Sequence, residues 1–347
     1  MSEQLSRPAA GQGGLVDDFS RTISYLRLSL TDRCNLRCLY CVTEDERLGA
    51  VAKLPHSELL SYEELLRVVR VAVAMGIVKL RLTGGEPLLR RDIMSFITRL
   101  ASIDDLHDIR LTTNGVLLAR YAEELLAAGI RKINISLDTL RPHRFAEITG
   151  HDCFDAVWQG IEKTLALGFA PVKLNMVVMR GINDDELLDF ARLAHDTELQ
   201  VRFIEFMPIG ASSHWSQGAF MPADEIMARI EERFGPLIPM NRDKADGPAR
   251  LFKLGEQAAG TLGFISPISH HFCDRCNRLR LTSEGRLRSC LLHDEEVDLK
   301  QVIRGGGSDS AVREALLTAI RNKPRGHQSI ERLRGGGCHG RMSRIGG

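Results

Sequence analysis

The sequence predicts an α/β fold, a full or partial (βα) barrel carrying a smaller second lobe, and three observations predict it. The chain has 347 residues, and a barrel of roughly 200–250 residues plus a lobe fits that length. Strand-like runs alternate with helix-like segments, the pattern of parallel βαβ units. The strands also share an alternation that gathers polar residues on one face.

The first strand-like run is YLRLSL at 25–30, where Arg27 alternates with Leu26 and Leu28. A helix is expected over 61–75. The second run, KLRLT at 79–83, sets Lys79 and Arg81 opposite Leu80 and Leu82, and a helix follows near 92–101. The third covers 109–113, with a helix near 117–128. In the fourth, KINISL at 132–137, Asn134 and Ser136 share a face that continues to Asp138; a helix is expected over 153–167. Lys173 and Asn175 share a face of the fifth run, 172–178, before a helix at 184–195. Arg202 lies on the sixth, 201–206, and a helix at 223–234 follows.

Such alternation also suits antiparallel hairpins with one wet face. The intervening helices argue against hairpins. In a parallel barrel the apolar face meets the helices, so the polar face points inward. An interior lined with Arg, Lys, Asn and Ser reads as a binding cavity for an anion. An open doubly wound sheet is the competing fold, but no GxGxxG or Walker A loop is present for a nucleotide to use.

From about residue 242 the rhythm changes. The connector DKADGPAR leads into a segment with three more cysteines. Beyond residue 300 come a glycine run at 305–307 that reads as a loop, a helix at 310–320 and a Gly/Arg-rich tail. The chain thus divides into a flexible N-terminal segment (1–20), a barrel (21–241) and a C-terminal domain (242–347). No repeat of solenoid period occurs.

At 44% hydrophobic and 26% charged residues the chain reads as a soluble globular protein, and a net charge of +1 excludes a general attraction to nucleic acid or membrane. The first twenty residues lack the apolar core of a signal peptide, and no stretch of about 18 apolar residues occurs. A cytoplasmic protein is expected. There, eight cysteines point to metal binding or catalysis rather than to disulfides.

Three of them, Cys34, Cys38 and Cys41, lie in TDRCNLRCLYC directly after the first strand. That is the C-terminal mouth of a barrel, where barrel enzymes hold their active sites. Three thiolates suit an iron–sulfur cubane whose fourth iron takes a non-protein ligand. A zinc site with a remote fourth ligand, or buried unliganded cysteines, stay open on spacing alone. Cys273, Cys276 and Cys290 form a CxxC followed, after thirteen residues, by a third cysteine. His270, His271 or His293 could complete a zinc site here. Between these cysteines runs NRLRLTSEGRLRSC, which reads as a strand pair with a SEG turn; Arg278 and Arg280 share one face, Leu279 and Leu281 the other. Cys153 is expected to be buried at a helix start and Cys338 to be an exposed tail thiol. Met75, Met94 and Met227 fit helix cores, and His107 and His195 read as surface or capping residues.

CNLRCLYC, with TGGEP at 83–87 after the second strand, resembles the CxxxCxxC and GGE motifs of the radical S-adenosylmethionine (SAM) superfamily. ISPISHHFCDRCNRLRLTSEGRLRSCL, EFMPIG at 205–210, KPRGH near the end and the terminal GG narrow the resemblance to the GTP 3′,8-cyclases of molybdenum cofactor biosynthesis, from about Tyr25 to Gly347. The chain departs from the family in having Val42-Thr43 where Met-Pro is usual, and in an Arg/Gly-rich stretch before RMSRIGG.

The resemblance implies a partial (βα)6 TIM-like barrel with a smaller C-terminal cluster-binding domain. It implies two 4Fe-4S clusters, held by Cys34, Cys38 and Cys41 and by Cys273, Cys276 and Cys290. SAM contacts would fall to Tyr40, Gly85, Ser136 and Met207. GTP contacts would fall to Arg27, Lys79, Arg81, Thr112, Lys173, Arg202, Arg278, Leu279 and Arg280. Arg278, Arg280, Gly346 and Gly347 would act in catalysis, the tail reaching into the site. The implied reaction converts GTP to a 3′,8-cyclic dihydroguanosine triphosphate. The implied partners are an electron donor of flavodoxin or ferredoxin type and cyclic pyranopterin monophosphate synthase, with no nucleic acid or membrane; homodimerisation stays open. Two other functions are compatible with part of the pattern: a twin-cluster radical SAM enzyme acting on peptides, and a zinc-stabilised scaffold or electron carrier.

Overall fold

The computed structural model describes residues 15–49, 52–209, 216–241, 247–326, 338 and 340–346. Gly347, the first half of the connector DKADGPAR and most of the Arg/Gly-rich stretch lie outside the described residues.

Leu26, Leu28, Leu80 and Leu82, the apolar halves of the first two alternating runs, are completely buried. Burying each such side chain stabilises the fold by about 1.5–3 kcal/mol, and period-two spacing delivers them all to one face. β1 (Tyr25–Ser29), β2 (Lys79–Thr83), β3 (Asp108–Thr113), β4 (Lys132–Ser136), β5 (Val172–Val178) and β6 (Gln200–Glu205) lie in sequence order, all parallel.

A four-residue helix, α1 (Glu44–Arg47), follows the first cysteines. α2 (Tyr62–Ala74), α3 (Ile93–Ala101), α4 (Leu118–Ala127), α5 (Pro142–Thr149), α6 (Phe154–Ala166) and α7 (Leu187–Asp196) fill the crossovers, and α8 (Ala223–Phe234) follows β6. α2 shows why they form. Ser61 accepts from the Glu64 amide, and the Glu64 carboxylate accepts from the Ser61 amide, closing a capping box. Leu65, Leu66, Val69 and Ala72 then recur at helical spacing and are buried against the sheet. α5 was not expected from the sequence: its short PHRFAEIT run carries a weak periodic signal.

The chain past α8 extends both edges of this sheet. β7 (Ile238–Pro239), β8 (Arg250–Lys253) and β9 (Thr261–Ile265) follow α8, and β9 pairs parallel with β6. β10 (Arg278–Leu281) crosses to the other edge and pairs parallel with β1; β11 (Arg286–Arg288) and β12 (Glu296–Asp298) continue it antiparallel. The twelve-stranded order is β12-β11-β10-β1-β2-β3-β4-β5-β6-β9-β8-β7. α9 (Leu299–Arg304), α10 (Asp309–Arg321) and a final turn, α11 (Met342–Ile345), complete the fold.

Candidate active site

Register turns the polar alternation into rows. Arg280, Arg27, Arg81 and Arg110 are successive partners across β10, β1, β2 and β3. Arg278, Tyr25 and Lys79 form the row below. Thr112, Asn134 and Lys173 form another across β3, β4 and β5, and Asn175 pairs with Arg202. Like charges on directly opposed strand positions repel, so four arginines in one row need a reason.

Several of these side chains open onto one cavity. Its walls include Arg27, Lys79, Arg81, Thr112, Arg202, Arg278 and Arg280, together with Met207 and all three of Cys273, Cys276 and Cys290. Seven of the nine residues expected to contact GTP are thereby brought together with the second triad. Lys173 is buried beside Asn134 in the neighbouring row and is not part of the cavity wall. Leu279 is not part of it either: its side chain lies in the apolar core, on the opposite face from Arg278 and Arg280.

Sequence reasoning passed over Tyr25 and Arg110, which also line the cavity. Their signal was present, since each stands two residues from an expected contact on the same strand face, Arg27 and Thr112. The Tyr25 hydroxyl accepts from Nε of Arg81, and Lys79 stands 4.8 Å from its ring. Burial opposes ionisation of Tyr25, but Arg81, Arg27 and Lys79 outweigh it and hold the phenol at about 7. Burial and the nearby Arg110 lower Lys79 to about 8. Burial, with Arg81 and Arg278 adding to it against the phenol of Tyr25, lowers Arg27 to about 10. Arg81 and Arg280 pair with no carboxylate among the described residues; Arg81 also donates to Thr112 at 3.0 Å. The amide oxygens of Asn134 and Asn175, on the same cavity wall, lack a hydrogen-bond partner among the described residues. Buried cations and orphaned polar atoms of this kind are costly unless a ligand or water satisfies them. This is a site built for a polyanion with polar edges.

The first triad sits on the loop after β1, at the C-terminal ends of the parallel strands. Cys34, Cys38 and Cys41 are half-buried free thiols. The Cys41 amide donates to the Cys38 carbonyl at 2.9 Å, the Leu36 amide to the Cys34 sulfur at 3.4 Å, and Asn114 Nδ2 to the same sulfur at 3.6 Å. The loop after β2 packs against it. The Gly85 amide donates to the Thr31 carbonyl at 2.7 Å, and a Cβ on Gly85 would lie 2.3 Å from the Arg33 carbonyl oxygen. The glycine pair is thus required by the chain's own backbone, a protein reason beside the ligand reason expected. Glu86 is fully buried and accepts from the Thr113 hydroxyl and the Asn114 and Leu88 amides, tying the ends of β2 and β3; burial lifts its carboxyl to about 7.

Tyr40 donates to Asp138 at 2.9 Å, just beyond Ser136 at the end of β4. Burial raises the Asp138 carboxyl to about 6. Burial and Glu86 raise the Cys34 thiol to about 11; burial, Cys34 and Glu46 raise Cys41 to about 12.

The second triad has the opposite surroundings. Burial opposes ionisation of Cys276, but Arg278 and Lys323 bring its thiol down to about 6. The Arg278 guanidinium lies 4.8 Å from the Phe272 ring. Of the candidate histidines, His270 is taken by Asp224 at 2.5 Å, whereas His271 lines the cavity. Among the described residues no three His, Cys, Asp or Glu side chains are grouped as one metal ion would need. Thiolates of a cubane each bind a different iron and need no such grouping. Cys34, Cys38 and Cys41, on one short loop after β1 with the Gly85 turn packed against it, fit a cluster of that kind, as do Cys273, Cys276 and Cys290 gathered on one cavity wall.

The end of the chain is built into the site. Arg280 Nη1 donates to the Gly346 carbonyl at 2.6 Å. Gly346 has φ +75°, and a Cβ there would lie 2.6 Å from Cγ2 of Thr83. Cys338, expected to be exposed, is instead buried: its sulfur accepts from Arg288 at 3.1 Å and donates to the Leu291 carbonyl at 3.2 Å, and it packs with Ile209, Ile268 and Ile345. The bond from Arg288 and the packing against Ile209, Ile268 and Ile345 hold the thiol inside.

Residues 28–194 match the Radical SAM superfamily, and residues 199–329 match Molybdenum Cofactor Synthesis C. The fold is like that of Streptococcus suis SuiB bound to S-adenosylmethionine, at TM-score 0.60 and 13% identity over 90% of this chain and 74% of that one. Fold and site together define a radical SAM protein. A GTP 3′,8-cyclase of Thermodesulfovibrio yellowstonii is 51% identical over 89% of this chain and 94% of its own length; one of Pelotomaculum thermopropionicum is 47% identical over 95% and 99%. The chain belongs to the GTP 3′,8-cyclase family. No helix among the described residues is long and apolar enough to cross a membrane.

Proposed function

We infer that this chain is a radical SAM lyase that converts GTP to (8S)-3′,8-cyclo-7,8-dihydroguanosine 5′-triphosphate, the first step of molybdenum cofactor biosynthesis. The observation that carries the reading is the row Arg280, Arg27, Arg81, Arg110 on one cavity wall that also holds Cys273, Cys276 and Cys290. A triphosphate carries several negative charges, and fixed guanidiniums are its matching donors. A peptide substrate has no need of that row.

In this reading Cys34, Cys38 and Cys41 hold a 4Fe-4S cluster, and Cys273, Cys276 and Cys290 hold a second. Bound there, the first cluster would supply the one-electron reduction that SAM cleavage and removal of hydrogen from C3′ of the ribose require, and the second would offer a site for the purine. Tyr40, Gly85, Ser136 and Met207 position SAM. Arg27, Lys79, Arg81, Thr112 and Arg202 bind GTP from the cavity wall, and Lys173 adds its charge from the neighbouring row. Arg278 and Arg280 keep the base and the tail in register, the latter through the Gly346 carbonyl. An external flavodoxin- or ferredoxin-type donor supplies two electrons per turnover, one to cleave SAM and one that, with a proton, quenches the cyclised nucleotide radical, and cyclic pyranopterin monophosphate synthase takes the product. Residues 21–241 and 242–347 are the working division between the SAM-side and base-side halves.

The test is anaerobic incubation of the reconstituted protein with SAM, dithionite and GTP. The expected result is 5′-deoxyadenosine and cyclised triphosphate in equal amounts. 5′-Deoxyadenosine without cyclised nucleotide would contradict the substrate assignment.

A further inference from the structure

The KPRG segment and Arg21 play no part in the scheme above, yet both are tied to the second triad. Lys323 is 4% exposed. Its ammonium donates to the Ser289 carbonyl at 2.6 Å and to the Arg278 carbonyl at 2.9 Å. Ser289 precedes Cys290, and Arg278 stands two residues past Cys276, so one side chain joins the two cysteine-bearing segments. Arg21, 6% exposed, binds the other end: Nη1 donates to the Cys273 carbonyl at 2.9 Å and the Arg325 carbonyl at 3.1 Å, and Nη2 to the Pro324 carbonyl at 2.7 Å.

The charges of these two residues are not balanced alike. Arg21 pairs with buried Asp17 at 2.6 Å. Lys323 has no carboxylate partner among the described residues; its acceptors are neutral carbonyls. Burying an ammonium without a counter-charge is strongly unfavourable. The anions available to it are the sulfurs of Cys276 and Cys290, which stand beside the two carbonyls it holds. A thiolate-bound cluster supplies that negative charge, and a cation held beside such a cluster favours its reduced form, because reduction adds one further negative charge.

We propose that Lys323, locked by Arg21, is a positioning residue that both sets the spacing of the second triad and holds its cluster at a higher reduction potential than a neutral residue would. This rests on the reading that Cys273, Cys276 and Cys290 hold a cluster. Outer partners of metal ligands commonly change affinity or activity about 10–100-fold, and here the additional signature is the potential.

The experiment uses full-length protein in which Cys34, Cys38 and Cys41 are replaced by Ser, so that iron reports the second triad alone. Iron and sulfide are counted, and the midpoint potential is read by electron paramagnetic resonance during dithionite titration of unaltered Lys323, Lys323→Arg and Lys323→Met. In parallel, cyclisation is assayed with both triads intact. Lys323→Met is expected to lower the midpoint, or to lose iron that Lys323→Arg retains, and to slow cyclisation about 10–100-fold. Lys323→Arg is expected to stay near the unaltered protein in potential. A Lys323→Met midpoint, iron content and rate equal to those with lysine would overturn the proposal. Equal iron loss in both variants would overturn it too, since charge would then not be what matters. If the protein with Lys323 holds no iron in this background, the cluster reading itself fails, and that outcome is distinct from both.

Discussion

The two cysteine triads use the same residue in different spacings and stand in opposite electrostatic surroundings. Around Cys34, Cys38 and Cys41 lie Glu46, Glu86 and Asp138, and burial with those carboxylates pushes the thiols upward. Around Cys276 lie Arg278 and Lys323, which bring its thiol down against the effect of burial. A three-thiolate motif therefore does not define a ligand by itself. The neighbours do: a SAM sulfonium is a cation and suits the first setting, whereas a nucleoside triphosphate is a polyanion and suits the second. Strand order produces the difference. The first loop lies at the ends of the central parallel strands beside the glutamate of GGE, while β10 brings Arg278 and Arg280 against Tyr25 and Arg27.

The tail joins these two settings, so cutting it should uncouple them. Gly346 is held by Arg280 on one side and packs against Thr83 at the end of β2 on the other. Deleting Gly346 and Gly347, or making Gly346→Ala, is expected to leave iron content and the binding of both SAM and GTP nearly intact. Cyclised product should fall about a hundredfold, the scale of misplacing a reacting pair by an ångström. Single-turnover product formation at equal iron content checks this; full activity would show that the tail does not set the register.

A smaller effect sharpens the contrast from the cation side. Arg81→Ala or Arg280→Ala should weaken GTP binding by about 1.5–3 kcal/mol each, the usual worth of a charge-assisted hydrogen bond, and leave SAM binding unchanged. Protonation gives the same contrast a pH signature. Lys79 loses its proton at about 8 in the free protein because burial and Arg110 oppose its charge, and a bound phosphate favours the charged form. Above pH 8 GTP binding must take up a proton, so affinity falls as pH rises; below pH 8 Lys79 is already charged and its contribution flattens. Tyr25, held at about 7, adds to the fall, since its phenolate competes with phosphate for Arg81. Calorimetry in two buffers of different ionisation enthalpy measures the uptake, and Lys79→Met should remove the part above pH 8.

The six central strands and their polar face were legible because period two is visible in any run of five residues. YLRLS and KLRLT show by their alternation alone which side carries the charge. Two things were not legible. Pairing between β1 and β10 joins residues some 250 positions apart, and nothing local in RLRL says that Arg280 will sit beside Arg27. β8 and β9 were missed because RLFK and TLGFI are short and carry a glycine or no clear alternation. The burial of Cys338 was missed for a related reason: the glycines around it suggest a loose end, and only the packing of Ile345 and the bond from Arg288 show otherwise.

The central claim is that each triad serves one ligand. Equilibrium binding of SAM and of GTP to two anaerobically reconstituted variants tests it most directly, one with Cys34, Cys38 and Cys41 replaced by Ser and one with Cys273, Cys276 and Cys290 replaced by Ser. The first variant should lose SAM and keep GTP. The second should keep SAM and weaken GTP at least about tenfold, or about 1.4 kcal/mol. Loss of GTP with the first triad, retention of full GTP affinity without the second, or loss of both ligands in either variant while the remaining triad still holds its iron would contradict the claim.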